Sequence, residues 1–257
     1  MARLADRRTH RNLILTSWAL WPRLVLSPRI QARRIRKRAH DKPELAGGEA
    51  LAFGKRTITA GNLRSDGWCF VEEVLSVSSH RSLQANWPSA HHFDALEWAN
   101  IGKSYDTGFR WTYDPNMPRP DFGASSFVIS SLHRLLADTQ TQDWLRYLTG
   151  TSDDYIFCHT VASQSYSHSF LTPHKDSLGS NPHKQINLIY FVSAGGQGWA
   201  GGGTSILDDG TFTRPRFVPP ALVNTALLYD VRDDFWHGFP RVPLGSWRRV
   251  VTAQFRA

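Results

Sequence analysis

The sequence predicts an α+β chain with a mainly β core, folded as a jelly-roll sandwich or barrel. Three observations carry this. Apolar residues recur at helical spacing between Ser125 and Leu148. From Asp154 on, the pattern changes to short β-branched and aromatic segments with turn residues between them. Helices followed by a run of short strands is the order of an α+β domain, not of alternating βα units.

The elements are taken in chain order. Residues 1–60 hold 14 Lys/Arg against 4 Asp/Glu, whereas the remaining 197 hold 16 against 18. The overall charge of +8 therefore belongs to a basic N-terminal extension, 1–60, ahead of a near-neutral domain, 61–257. A body of that charge argues against nucleic acid as the partner. Leu13 to Leu26 is apolar but broken by Thr16, Ser17, Pro22 and Arg23. A spanning helix needs about 20 apolar residues, so none is expected here. Arg33, Arg34, Arg36, Lys37 and Arg38 follow. With Trp18 and Trp21 they offer peripheral contact with anionic lipid; a basic helix or arm beside the domain is the favoured reading. Pro43 to Gly48 reads as a linker.

Trp68 to Leu75 reads as a strand leading into a helix at Ser79–Trp87, capped by Ser78 or Ser79. Residues 104–123, rich in Pro, Gly and aromatics, read as a long loop, in which surface packing is the favoured role of Arg110, Trp111 and Tyr113 and substrate contact the alternative. In 125–148, Phe127, Ile129, Leu132, Leu135, Leu136, Trp144, Leu145 and Leu148 mark helix, with a break at Gln140 or Thr141 and a stop at Gly150. The expected strands are Tyr155–Ala162, Gln185–Ser193, Gly203–Leu207, Thr225–Tyr229, Trp236–Phe239 and Arg248–Phe255. Cys69 and Cys158 are too few for a disulfide framework and fit a reducing, cytoplasmic setting.

The chemistry concentrates in Pro173-His174-Lys175-Asp176 and in His237, 63 residues beyond His174. Residues i and i+2 of a strand face the same way, so His174 and Asp176 present two ligands together. Two imidazoles and one carboxylate form the facial triad of non-haem Fe(II) sites, which leaves three octahedral positions open. Chance supplies about one His-X-Asp in a chain with 11 His and 17 Asp. His92-Phe93-Asp94 is a second instance, but it sits in helix-like sequence upstream of the β region, whereas His174 precedes the strands that lead to His237. His159 and His168 read as hydrogen-bonded strand residues, and His183 as part of a lid loop, Ser177–Lys184. An anchor for a dicarboxylic acid completes the set. Arg248 and Arg249 open the last strand, and only one can face inward. Arg248 shares its face with Val250, Thr252 and Gln254, the more polar set, and is the choice.

These residues resemble the 2-oxoglutarate/Fe(II)-dependent oxygenase superfamily, most of all its prolyl-hydroxylase-type branch. The matching stretches are His174-Lys175-Asp176, Ile186 to Ser193, Gly201-Gly202-Gly203-Thr204, Trp236-His237-Gly238-Phe239 and Arg248 to Thr252, within about residues 155–256. The resemblance implies a double-stranded β-helix braced by N-terminal helices. It implies Fe(II) on His174, Asp176 and His237, with 2-oxoglutarate and O2 as cosubstrates and ascorbate as accessory reductant. It implies Arg248 on the distal carboxylate and Tyr190 as a cosubstrate-binding residue, with Phe191 the alternative at that position. The strand before His-X-Asp departs from the family, whose Tyr and Gly turn are replaced by Ala162 to Ser167. The implied reaction is hydroxylation of a small-molecule or peptidyl substrate with release of succinate and CO2. A halogenating relative would carry Ala or Gly in place of Asp176. Beside this hydroxylase stand two other readings: a nucleic-acid- or lipid-directed oxygenase using the basic arm, and a non-catalytic jelly-roll binding module.

Overall fold

A computed structural model describes residues 50–88, 94–101, 105–113, 127–176, 184–196, 203–231 and 235–257. Its strands are β1 (Thr57–Asn62), β2 (Trp68–Glu72), β3 (Asp94–Ile101), β4 (Tyr105–Tyr113), β5 (Ile156–His174), β6 (Gln185–Gly195), β7 (Ser205–Leu207), β8 (Pro215–Phe217), β9 (Thr225–Asp230), β10 (Trp236–Phe239) and β11 (Trp247–Arg256). Its helices are α1 (Val77–Ala85), α2 (Phe127–Ala137) and α3 (Thr139–Thr149). Strand order is β1-β2-β9-β6-β11-β5-β10-β7-β8, with β4 on the other side of β5 and β3 beyond it. Every pairing is antiparallel.

One strand ties the two halves of the fold together. β5 runs 19 residues, well beyond the expected Tyr155–Ala162. Up to Tyr166 it pairs with β11; from Leu171 it pairs with β10. Between them the Tyr166 N–H leaves the ladder and donates to Ser169 Oγ at 3.1 Å. A strand that bends this way passes from one sheet to the other, which is how jelly rolls make corners.

Two apolar cores result. Ile186, Leu188, Tyr190 and Val192 of β6 pack with Val251, Ala253 and Phe255 of β11 against Leu83 of α1, Leu132 and Leu136 of α2, and Trp144, Leu145 and Leu148 of α3. Ile189, Phe191 and Val250 face the opposite way, packing with Phe70, Ile206, Leu227 and Tyr229 inside the jelly roll. β6 is thus buried on both faces, so it reads as an unbroken apolar run instead of an alternation. Each fully buried Leu, Ile or Phe contributes about 1.5–3 kcal/mol.

Several expectations shift. The helix after β2 is capped by Ser76, not Ser78 or Ser79: Ser76 Oγ accepts from the Ser79 N–H at 3.2 Å, and Ser79 Oγ accepts from Ala52 N–H. The break between α2 and α3 falls at Asp138, whose carboxylate accepts from the Gln140 N–H at 2.9 Å. Gly150 ends α3 as expected, in the left-handed region at φ 67°. The stretch read as a loop, 104–123, contains β4, and the helix-like sequence around His92 gives way to β3. Aromatic residues at β spacing and cross-strand pairing override local propensity there. The charge-based boundary between 60 and 61 falls inside β1, and Leu51 already belongs to the helix-side core. The readings of the 1–49 arm, of His92 and of the 177–183 lid lie outside the described residues, as do the side chains of Arg110, Trp111, Tyr113, His159 and His168. Among the described residues, no helix is long and apolar enough to cross a membrane.

Candidate metal centre

His174 ends β5 and His237 lies in β10, directly opposite it in the antiparallel register. Facing residues of such a pair hold their Cβ atoms about 4.5–5.5 Å apart. The rings accordingly stand 4.2 Å apart, centroid to centroid. Asp176 follows two residues past His174, just beyond the strand end. One ligand atom from each of the three lies within 4.8 Å of the others. His174 Nε2 is 3.5 Å from Asp176 Oδ1, and His237 Nε2 is 3.5 Å from Asp176 Oδ2. Metal bonds of about 2.1 Å at right angles put neighbouring donors roughly 3 Å apart, so a small contraction closes this set on one ion. The donor chemistry fits Fe(II). His174 Nδ1 lies 3.0 Å from the Thr172 carbonyl, which directs Nε2 into the site.

The electrostatics keep Asp176 and His237 in their ligating forms. Burial alone would raise the Asp176 carboxyl. The hydrogen bond from His174, the charges of His237 and His174 and the Tyr229 hydroxyl outweigh burial and hold it at about 2. Burial pushes His237 down to about 4, against the pull of Asp176. At neutral pH the site therefore offers a carboxylate and a neutral His237 imidazole.

Arg248 is 3% exposed and faces the interior. Its guanidinium sits 4.0 Å from the Phe239 ring centroid and 5.8 Å from that of Phe191, and Nη2 donates to Thr204 Oγ1 at 3.3 Å. Arg249 takes the other face, 5.7 Å from the Trp87 ring and 5.0 Å from the Trp247 ring. Tyr190 is a correction. It points to the helix side of β6, where its hydroxyl donates to Asn224 Oδ1 at 3.0 Å and lies 2.8 Å from His80 Nδ1. Alternation along β6 puts Phe191, not Tyr190, on the interior face beside Arg248.

Two residues of the site escaped the sequence reading. Tyr229, the last residue of the expected strand Thr225–Tyr229, donates to Asp176 Oδ2 at 2.9 Å and stands 3.0 Å from His237 Nε2. Asn187 donates to the same Oδ2 at 2.6 Å. The available signal was Asn187 itself, an amide inside the apolar run Ile186 to Val192.

No family profile and no curated protein sequence matches the chain. Its fold does match solved structures. One is an oxidoreductase of the 2OG-Fe(II) oxygenase family from Burkholderia pseudomallei, with TM-score 0.53 and 16% identity over 81% of this chain and 95% of that one. Another is a Pseudomonas putida prolyl-4-hydroxylase, with TM-score 0.52 and 16% identity over 76% and 94%. A third is HygX from Streptomyces hygroscopicus, solved with nickel and 2-oxoglutarate bound, with TM-score 0.51 and 12% identity over 74% and 82%. The chain has the jelly-roll fold of the 2-oxoglutarate/Fe(II) oxygenases.

Proposed function

We propose that the chain is an Fe(II)- and 2-oxoglutarate-dependent dioxygenase that hydroxylates a small-molecule or peptidyl substrate. The observation that carries this is the convergence of His174, Asp176 and His237 inside an oxygenase-type jelly roll. In this reading the three residues hold Fe(II). The iron, with 2-oxoglutarate and O2, supplies oxidation of a substrate C–H to C–OH, the oxo acid leaving as succinate and CO2.

The remaining roles belong to the protein. Arg248 pairs its planar fork with the distal carboxylate of 2-oxoglutarate, at the side of the interior that Thr204 and Phe239 line. The aromatic faces of Phe239 and Phe191 flank the guanidinium and keep water from competing for it. Phe191 cannot hydrogen-bond the cosubstrate as a Tyr would, so Arg248 and the Thr204 hydroxyl carry that recognition. One fold relative is named a prolyl-4-hydroxylase, and another was solved with nickel and 2-oxoglutarate bound; the second supports the cosubstrate site proposed here.

The test is succinate formation by the full chain with Fe(II), ascorbate and 2-oxoglutarate, compared with His174→Ala. Slow uncoupled turnover is expected from the wild type and none above background from the variant. Equal background from both would refute the reading.

A further inference from the structure

The otherwise apolar strand β6 carries a buried amide, Asn187, beside the triad. Asn187 is 2% exposed and Tyr229 3%, and the two face each other in the β6–β9 register. A leucine and a phenylalanine would pack there without polar groups to satisfy.

The direction of the hydrogen bonds is fixed from one end. Arg256 can only donate, and its Nε reaches Gln185 Oε1 at 3.2 Å. That turns the Gln185 amide so that Nε2 donates to Asn187 Oδ1, at 3.0 Å. The Asn187 amide must then present its NH2 to Asp176 Oδ2. Tyr229 supplies a second donor to the same oxygen, 2.9 Å away. In the metal-free protein the Tyr229 proton can also serve His237 Nε2, at 3.0 Å. Once a metal takes that nitrogen's lone pair, Oδ2 is the acceptor left for it among these contacts.

We propose that Asn187 and Tyr229 are positioning residues that occupy Asp176 Oδ2 and so restrict Asp176 to coordination through Oδ1 alone. The proposal rests on the metal-site reading above. Its consequence is a matter of counting. With a metal bound, the three protein donors and a bidentate 2-oxo acid would fill five octahedral positions and leave the sixth open. A carboxylate that bound through both oxygens would close it.

Co(II) and Mn(II), added to the full chain without O2 chemistry, test this. Tyr229→Phe and Asn187→Leu are each expected to weaken Co(II) binding about 10–100-fold, the usual loss for an outer contact to a ligand. Each should also alter the Co(II) visible bands, because the carboxylate swings toward two-oxygen binding. Gln185→Leu, one bond further out, should shift the same bands by less. A residue that merely stabilises the fold would lower the melting temperature and leave the bands unchanged. Wild-type affinity and bands in both inner variants would overturn the proposal. So would a phenolate-to-metal charge-transfer band in the Cu(II)-loaded wild type that Tyr229→Phe removes, since Tyr229 would then be a ligand. If Tyr229→Phe does not fold, Asn187→Leu and Gln185→Leu decide. Failure of the wild type to take up Co(II) or Mn(II) at all sinks the metal-site reading instead, which keeps the two failures apart.

Discussion

Gly238 separates His237 from Phe239, and the structure shows why it has no side chain. A Cβ there would stand 2.7 Å from the Leu171 carbonyl oxygen, 3.0 Å from that of Thr172 and 3.1 Å from Pro173 N. All three are backbone atoms of β5, so no side chain can swing aside. Ordinary contact begins at 3.4 Å, so Gly238→Ala must move β10 off β5 by about 0.7 Å. β10 is held to β5 by two register pairs, His237 with His174 and Phe239 with Leu171. The movement therefore falls on the His174–His237 pair, two of the three proposed metal ligands. Overpacking of this kind costs about 1–3 kcal/mol. The functional loss should be larger in proportion, because ligands must be held within about 0.5 Å of their geometry. We expect Co(II) affinity to fall at least about tenfold. Gly245→Ala is the control: it lies at φ 75° with nothing within 4 Å of its Cβ, so it pays backbone strain alone. That strain is about 1–2 kcal/mol, and metal affinity should not change. Thermal melts of the metal-free proteins and Co(II) titrations separate the two effects. Wild-type Co(II) affinity in Gly238→Ala would show that the β5–β10 contact does not set the site.

Three further outcomes follow from the same geometry. Arg248→Lys loses the fork and should raise the KM for 2-oxoglutarate by roughly 30-fold, for a loss of about 2 kcal/mol; Arg249→Lys should leave it unchanged, and the reverse pattern would mean the wrong arginine has been assigned. Tyr190→Phe strips a hydroxyl from His80 and Asn224 and should cost about 1–3 kcal/mol of stability, read by denaturant titration, with the KM for 2-oxoglutarate unaltered. The metal-free protein should lose stability in two acid steps. His237 is depressed from 6.5 to about 4, so the unfolded chain binds the extra proton and stability falls as pH drops through that window. Asp176 is depressed from 3.8 to about 2, so its share is present above 3.8 and disappears below it. His237→Gln should abolish the upper step and, by removing a charge that lowers Asp176, weaken the lower one; a profile parallel to the wild type between pH 6.5 and 4 counts against the assignment.

The fold was largely legible because β5, β6, β7, β9, β10 and β11 carry their own signals, β-branched and aromatic runs bounded by Gly, Pro and Asp; the three-residue β8, which opens on Pro215, was not expected. β3 was not, since its Ala, Leu and Glu favour helix and only pairing with β4 makes it a strand. The convergence of His174, Asp176 and His237 was legible because His174 and Asp176 are two apart at a strand end and a second His follows. The choice of Arg248 came from period-two alternation, which holds along β11 even though its ladder to β6 shifts register between Arg249 and Val250. Tyr190 went wrong for the complementary reason. β6 is apolar on both faces, so its sequence gives no phase, and only the structure shows which side looks inward. Asn187 and Tyr229 lay beyond reach because their role depends on the β6–β9 register, a contact between strands far apart in the chain.

The site is therefore a meeting of two registers. β5 against β10 sets His174 opposite His237, and β6 against β9 sets Asn187 opposite Tyr229. Asp176 belongs to neither pair; it lies past the end of β5 and is reached from both, by the imidazoles on one side and by the two donors on the other. A one-residue slip in either pairing would turn its members to the opposite face. Slippage at β6–β9 would leave both imidazoles in place and free Asp176 Oδ2. Slippage at β5–β10 would remove an imidazole and leave the carboxylate clamped. The first lesion should change how the metal is held, and the second whether it is held. Both Asn187→Leu and Gly238→Ala should therefore weaken Co(II) binding, and the Co(II) spectrum tells them apart, because only Asn187→Leu frees Asp176 Oδ2.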